Sequence, residues 1–418
     1  MLEIGKVRAD ELVKEFGTPL IAYDLDVLRG ILRQYFESFR SDSLKTGIIY
    51  ASKAFNCKAM IQLISEYAMK LDVVSAGELY TAKMAGYDCK NIYFHGNNKS
   101  EEELKMAIEY GVGTVVVDNL PEAKMLAKLS AGATYSIHTL LRVNPGIDAH
   151  THKYIVTAHD DSKFGVLFSN EEDITEIVKT LSSAENIVFD GLDAHIGSQV
   201  FDKRAFVAEV RMMFQFAGLL NEKYAIKTKV IDFGGGFATY YTKEDEPIPI
   251  DEVCRTIVET CETENEKIGG IVEQILIEPG RSIAAAGSYT LYTVGFTKKT
   301  LNKNYLFVDG GMSDNIRPAL YQAKYDAIVV GKEEMPAAKT YTIAGKCCES
   351  GDILIEDIPL PETKTGDIIA LPATGAYCYS MASNYNKLTF PAVIFAENGS
   401  ARTVIRRQTL EDLISREV

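Results

Sequence analysis

A chain of 418 residues, 46% apolar and 24% charged, has the make-up of a globular protein too long for one ordinary core, so two domains are expected. Its formal charge of −14 argues against nucleic acid as a partner, because binding there rests on Lys and Arg neutralising phosphates. Seven scattered cysteines give neither a disulfide framework nor a metal-binding spacing, no run approaches the ~20 apolar residues of a membrane span, and Met1–Lys6 has no signal-peptide core; a cytoplasmic protein without a resident metal is expected.

Short apolar runs recur along the first two-thirds of the chain. They are Ile48–Ala54, Leu71–Ser75, Ile92–Gly96, Thr114–Asp118, Thr139–Asn144, Phe189–Ser198, Lys229–Gly236 and Gln274–Arg281. Between them lie amphipathic stretches at helical spacing: Ser100–Tyr110, Pro121–Leu129, Glu171–Thr180, Lys203–Leu220 and Asp251–Ile268. Ser75 followed by Glu78 reads as a capping-box start. Alternating buried strands and helices imply a parallel sheet, and eight repeats imply closure into an α/β barrel of the (β/α)8 TIM type, with an open doubly wound sheet as the alternative. The connection Pro145–Phe168 is long enough to be functional, and its His150 and His152 read as a polar loop or as metal ligands. After residue 281 the helical rhythm fades. Ser288–Lys298, Tyr305–Val308, Ala338–Ile343, Asp367–Leu371 and Lys387–Ile394 read as strands of a β-rich domain, which Leu20–Tyr23 would join. The expected division is therefore a barrel over 27–282 and a discontinuous β-rich domain, a sandwich or barrel, over 1–26 and 283–418.

Chemistry in barrel enzymes sits at the C-terminal ends of the strands, where Lys53, His195, Gly234–Gly236 and Glu278–Arg281 all fall. Lys53 closes an apolar run; burial would lower its pKa and give the neutral amine that Schiff-base chemistry needs. The glycine triplet is either a tight turn or a place where bare backbone N–H groups meet an anion, and loops after strands seven and eight are the usual phosphate site of this fold. Glu278 either pairs with Arg281 or hydrogen-bonds a protonated pyridine nitrogen. His195 is either a core histidine or a partner for the face of an aromatic cofactor.

Five segments, Tyr50–Lys53, His195–Gln199, Gly234–Gly236, Glu278–Arg281 and Cys348–Asp352, resemble the fold-type III pyridoxal-phosphate decarboxylases. Arg142–Gly146, Asp161–Gly165, Arg317–Tyr321 and Ser380–Asn386 narrow the resemblance to the diaminopimelate decarboxylases, in order from about residue 18 to the last strand. The resemblance implies pyridoxal 5'-phosphate as cofactor, held by Lys53, with His195 on its ring and Glu278 at its nitrogen. It implies Ser198, Gly236, Gly280 and Tyr377 around the phosphate, with Gly235 and Arg281 also binding the cofactor. Arg281, Arg317, Tyr321 and Tyr377 would take the substrate, with Glu349 near its far amine, and Cys348 would be the proton donor. Cys348 and Glu349 would come from the partner subunit of a homodimer. Cys347 departs from the family pattern and reads as incidental.

The implied reaction is decarboxylation of meso-2,6-diaminopimelate to L-lysine and carbon dioxide, the last step of lysine biosynthesis. The residue types fit it: loss of carbon dioxide leaves an electron pair that needs a cationic conjugated ring and one placed acid. The same chemistry on ornithine, lysine or arginine is the near alternative, but those substrates need only an acidic clamp, whereas Arg281 and Arg317 suit a second carboxylate. Amino-acid racemisation is the further alternative, disfavoured by an acid at position 278.

Overall fold

The structure, a computed structural model, describes residues 1–147 and 162–418. His150, His152, Asp160 and Asp161 lie outside the described residues, so the expectations placed on them are not addressed. The described chain divides into two compact units, one of 32–238 and 247–280, the other of 1–31, 239–246 and 281–418. Segment 239–246, expected within the barrel span 27–282, is grouped with the other unit.

The first unit is a closed parallel barrel. Its strands are β1 (Lys45–Ala51), β2 (Lys70–Val73), β3 (Ile92–Phe94), β4 (Thr114–Val117), β5 (Ile137–Asn144), β6 (Ile187–Asp193), β7 (Val230–Asp232) and β8 (Gln274–Ile277). Each pairs in parallel with its neighbours in chain order; β8 pairs with β1, and the β5–β6 pairing leaves no open edge. The open-sheet alternative is thereby excluded. Inward side chains Ile49, Tyr93, Val116, Leu140 and Leu276 form an apolar layer across the barrel. Burying one such side chain contributes roughly 1.5–3 kcal/mol, which is why these strands read as continuous apolar runs.

The helices start where the polar residues direct. Ser100 and Glu103 form a complete capping box, and Asn119 caps Leu120–Ser130, which has Pro at its first turn. At Ser75 only half the box forms: its Oγ accepts from Glu78 N at 3.3 Å, but the Glu78 carboxylate turns back to Val74 N and Ser52 Oγ, at 2.8 and 3.3 Å.

The second unit is built on an extended sheet. Leu20–Asp24 lies between Ser288–Lys299, antiparallel, and Ala392–Glu397, parallel, so the first residues of the chain are stitched into a sheet made by its last third. Lys339–Ala344 and Ile353–Leu360 pair on the far side of Asn304–Val308. The strand expected at Lys387–Ile394 is Ala392–Glu397 instead, because Asn386 and Lys387 take φ of 52° and 58° and Tyr385–Lys387 forms a 3-10 turn. No helix among the described residues is long and apolar enough to cross a membrane.

Candidate active site

Parallel registry aligns the C-terminal ends of the barrel strands, and a charged layer sits there above the apolar one. Asp193 is in register with both Arg142 and Asp232, and Asp72 lies beside Ala51. His95 and Glu278 follow the last residues of β3 and β8. Asp72, Asp193 and Asp232 are fully buried, and His95 and Glu278 nearly so.

Lys53 itself is not buried at a strand end as expected. Strand β1 stops at Ala51, Lys53 sits in the 3-10 turn Ser52–Ala54, and its side chain is 40% exposed. What distinguishes it is its neighbour: Nζ lies 3.7 Å from Asp72 Oδ2. Arg142 Nη1 lies 3.6 Å from Asp193 Oδ2, and His95 Nε2 2.8 Å from Glu278 Oε1. None of these acids is fully satisfied. Both carboxylate oxygens of Asp72 and of Asp193 and Oδ2 of Asp232 accept no hydrogen bond, and the His95 Nε2–Glu278 Oε1 contact is close but not aligned as one. Buried polar groups in native interiors are normally completed by a protein partner, an ordered water or a ligand.

The electrostatics follow from that layout. Burial pushes the Asp72, Asp232 and Glu278 carboxyls up, and Asp193 up to about 6. Burial, then the Lys53 and Arg142 cations, holds His195 well below its usual range, so its imidazole is neutral. Its Nδ1 accepts from Gly235 N at 3.2 Å, which leaves the proton on Nε2.

The glycine triplet runs close against these residues. A Cβ on Gly235 would lie 2.5 Å from Glu278 O, and one on Gly236, where φ is +101°, would lie 2.7 Å from Gly197 O. Gly280 packs onto the turn that carries Lys53, with a Cβ there 2.8 Å from Ala51 Cβ. Ser198 follows on the loop after β6 and is partly exposed. Lys53, His195, Ser198, Gly235, Gly236, Glu278 and Gly280 therefore share one end of the barrel. An acid-rich layer with unsatisfied oxygens fits a cationic ring, and a bare-backbone turn fits its phosphate. Asp72, His95 and Glu278, or Asp193, Asp232 and Glu278, also bring ligating atoms within 4.8 Å of one another, a spacing open to a cation.

The second unit holds the other expected residues. Arg281 Nη1 donates to Tyr241 Oη at 2.7 Å, and its guanidinium lies 4.6 Å from the Tyr377 ring centroid. Arg317, buried at the start of helix Arg317–Tyr321, lies 4.5 Å from the Tyr241 ring centroid and donates to Tyr325 Oη. Tyr321, at the other end of that helix, is exposed. Cys348 and Glu349 sit on the turn between Lys339–Ala344 and Ile353–Leu360. Asp352 anchors this turn by accepting from Met312 N and Cys347 N at 2.6 and 2.8 Å, while Asn386 Oδ1 accepts from Cys348 N at 2.7 Å. Cys348 is exposed; Cys347 is buried, which pushes its thiol up to about 11.

Sequence reasoning did not single out Asp72, His95, Asp193, Asp232, Tyr241 or Tyr325. Asp193 and Asp232 are the last residues of their strands and Asp72 the last but one, each in a mainly apolar run, a signal the sequence does carry.

Comparison with known proteins agrees with this geometry. A family model described as "Pyridoxal-dependent decarboxylase, pyridoxal binding domain" matches residues 29–285. The chain is 48% identical to the diaminopimelate decarboxylase of Bacillus subtilis over 99% of its own length and 94% of that protein's. It is 43% identical to that of Staphylococcus aureus, over 99% and 96%. Among solved structures, the Helicobacter pylori diaminopimelate decarboxylase, crystallised with L-lysine, superposes with a TM-score of 0.87 at 31% identity, covering 98% of each chain. The fold, the charged layer around Lys53 and full-length similarity agree: the chain belongs to the diaminopimelate decarboxylase family of pyridoxal-dependent decarboxylases.

Proposed function

We propose that the protein decarboxylates meso-2,6-diaminopimelate to L-lysine and carbon dioxide, at the D-configured centre, as the closing step of lysine biosynthesis. The observation that carries the substrate is Arg317. It is buried, and its partners among the described residues are tyrosines rather than a carboxylate. A guanidinium held this way is ready for an anionic group of the ligand, which ornithine, lysine and arginine lack at their far end. An acid at position 278 rather than a cation supports decarboxylation over racemisation.

Bound pyridoxal 5'-phosphate supplies a conjugated cationic ring that accepts the electron pair released with carbon dioxide. In this reading Lys53 holds the cofactor through its amine. Glu278, buried beside His95, keeps the ring nitrogen protonated, and neutral His195 offers an aromatic face without adding charge. Ser198, Gly236, Gly280 and Tyr377 surround the phosphate, and Gly235 and Arg281 also contact the cofactor. Arg281, Arg317 and Tyr321 bind the substrate's far carboxylate, and Glu349 its far amine. Cys348 delivers a proton to the α-carbon. That thiol and Glu349 belong, on this reading, to the partner subunit of a homodimer, and the free cysteines are in keeping with a cytoplasmic location.

Purified protein loaded with pyridoxal phosphate should release carbon dioxide from meso-diaminopimelate far faster than from L-lysine or L-ornithine. Breaking a buried charge-assisted pair costs roughly 2–5 kcal/mol, a discrimination of about 30-fold to several thousand-fold. Efficient turnover of ornithine or lysine would overturn the substrate assignment while leaving decarboxylation standing.

A further inference from the structure

Two arginines and two tyrosines of the second unit, Arg281, Arg317, Tyr241 and Tyr325, form one connected arrangement. Tyr241 takes part twice: its hydroxyl accepts from Arg281 Nη1 at 2.7 Å, and its ring faces Arg317 at 4.5 Å. Tyr325 meets Tyr241 edge-on, ring centroids 5.3 Å apart at 88°. The Tyr325 hydroxyl accepts a hydrogen bond from Arg317 Nη1 and lies 3.7 Å from Cys378 Sγ. Tyr325 is 3% exposed and Cys378 fully buried, so this support is packed tightly behind Arg317.

The chemical character of the support is informative. A buried guanidinium is usually held by a carboxylate, which satisfies its donors and cancels its charge. Here a neutral phenol takes one of its five N–H donors and tyrosine rings face the cation, leaving the charge uncompensated. Burial pushes the Tyr325 hydroxyl well above its ordinary value, so it stays a neutral acceptor throughout the working pH range. An acidic residue at that place would hold the arginine equally still but would compete with any incoming anion.

We propose that Tyr325 is a positioning residue that sets selectivity for a substrate with a second carboxylate, by aiming Arg317 without neutralising it. This rests on the reading of Arg317 as the clamp for that carboxylate. It gives Tyr325 a role beyond filling the core, since the consequence is seen in recognition of one end of the substrate.

The test is a double-mutant cycle on the holoenzyme with Tyr325→Phe, Arg317→Ala and the pair, read as KM and kcat for meso-diaminopimelate and as its preference over L-lysine. Tyr325→Phe should raise KM about ten-fold, the loss of one hydrogen bond to a charged group, with kcat within about two-fold and the cofactor absorbance unchanged. The double variant should be no worse than Arg317→Ala, because Tyr325 acts through Arg317. An unchanged KM in Tyr325→Phe beside a damaged Arg317→Ala overturns the role of Tyr325 alone, as does an additive double variant. An unaffected Arg317→Ala overturns the clamp reading itself. Should Tyr325→Phe prove too unstable to assay, Tyr325→Glu gives the complementary result: the acid holds Arg317 but cancels its charge, so preference for diaminopimelate falls at least ten-fold, and preference retained there overturns the proposal.

Discussion

Glu78 offers a direct test of the electrostatics around Lys53. Its carboxylate accepts from Val74 N and Ser52 Oγ, yet burial, then the neighbouring Asp72, pushes it from the ordinary 4.5 up to about 7. That displacement corresponds to about 3 kcal/mol of preference for the neutral form in the folded state. A carboxyl raised on folding contributes stability that is fully present below its unfolded value of 4.5 and is lost as pH rises through about 7. Glu78→Gln keeps an acceptor for Val74 N but has nothing to titrate. The stability gap between the natural protein and this variant should therefore shift by about 3 kcal/mol, in favour of the variant, between pH 4.5 and pH 8. In thermal melts of cofactor-free protein that is roughly 3–4 °C for a chain of 418 residues. Taking the difference between the two proteins removes the titration of every other group. A gap that stays constant across this range, or that moves in favour of the natural protein, would refute the reasoning.

Two further outcomes follow from the barrel end and from the implied dimer. Gly235→Ala places a Cβ 2.5 Å from Glu278 O, so the turn must move; pyridoxal phosphate should be retained about 10- to 100-fold less tightly, measured by equilibrium dialysis, and retention equal to that of the natural protein would rule out the phosphate cradle. Inactive Lys53→Ala and Cys348→Ala proteins, mixed under conditions that exchange subunits, should recover roughly a quarter of full activity, since half the dimers carry one intact site; no recovery despite demonstrated exchange would mean that Cys348 serves its own chain.

The barrel was legible because each strand is buried on both faces and each connecting helix on one, so period and composition report directly on position. Eight apolar runs fell on the eight strands, and all but Thr139–Asn144 overran theirs at the C-terminal side, as at Ile48–Ala54 against Lys45–Ala51. The overrun has a physical cause. Residues past a strand's end, such as Ser52 and Ala54, are as buried as those within it, because the chain is still crossing the top of the barrel. Lys53 was found by its place at such an end, but its exposure was misjudged for the same reason. The β-rich unit was less legible: Ile353–Leu360 carries Glu356 and Asp357 on a partly exposed strand, so its apolar pattern is diluted, and Ser400–Ile405 is largely solvent-facing.

What escaped sequence reasoning shares one property. Asp72, Asp193 and Asp232 each lie in a separate, mainly apolar run, tens of residues apart, and in isolation each looks like the polar boundary of a strand. Barrel closure turns those separate boundaries into a single layer of four carboxylates, with Lys53 beside Asp72 and Arg142 beside Asp193. A layer with that imbalance is costly when nothing else is bound, since burial pushes the acids toward protonation. The cost is intelligible if the layer is completed by a cationic ring. Arg317 presents the converse imbalance, a buried cation among neutral tyrosines. Both places hold buried charge, and on the proposed reading each matches in sign one end of the chemistry: acids for the protonated ring, a guanidinium for the carboxylate that distinguishes diaminopimelate from lysine. An excess of unpaired charge in a buried setting is a stronger pointer to a ligand than any of the motifs taken alone, because folding by itself gives no reason to keep it.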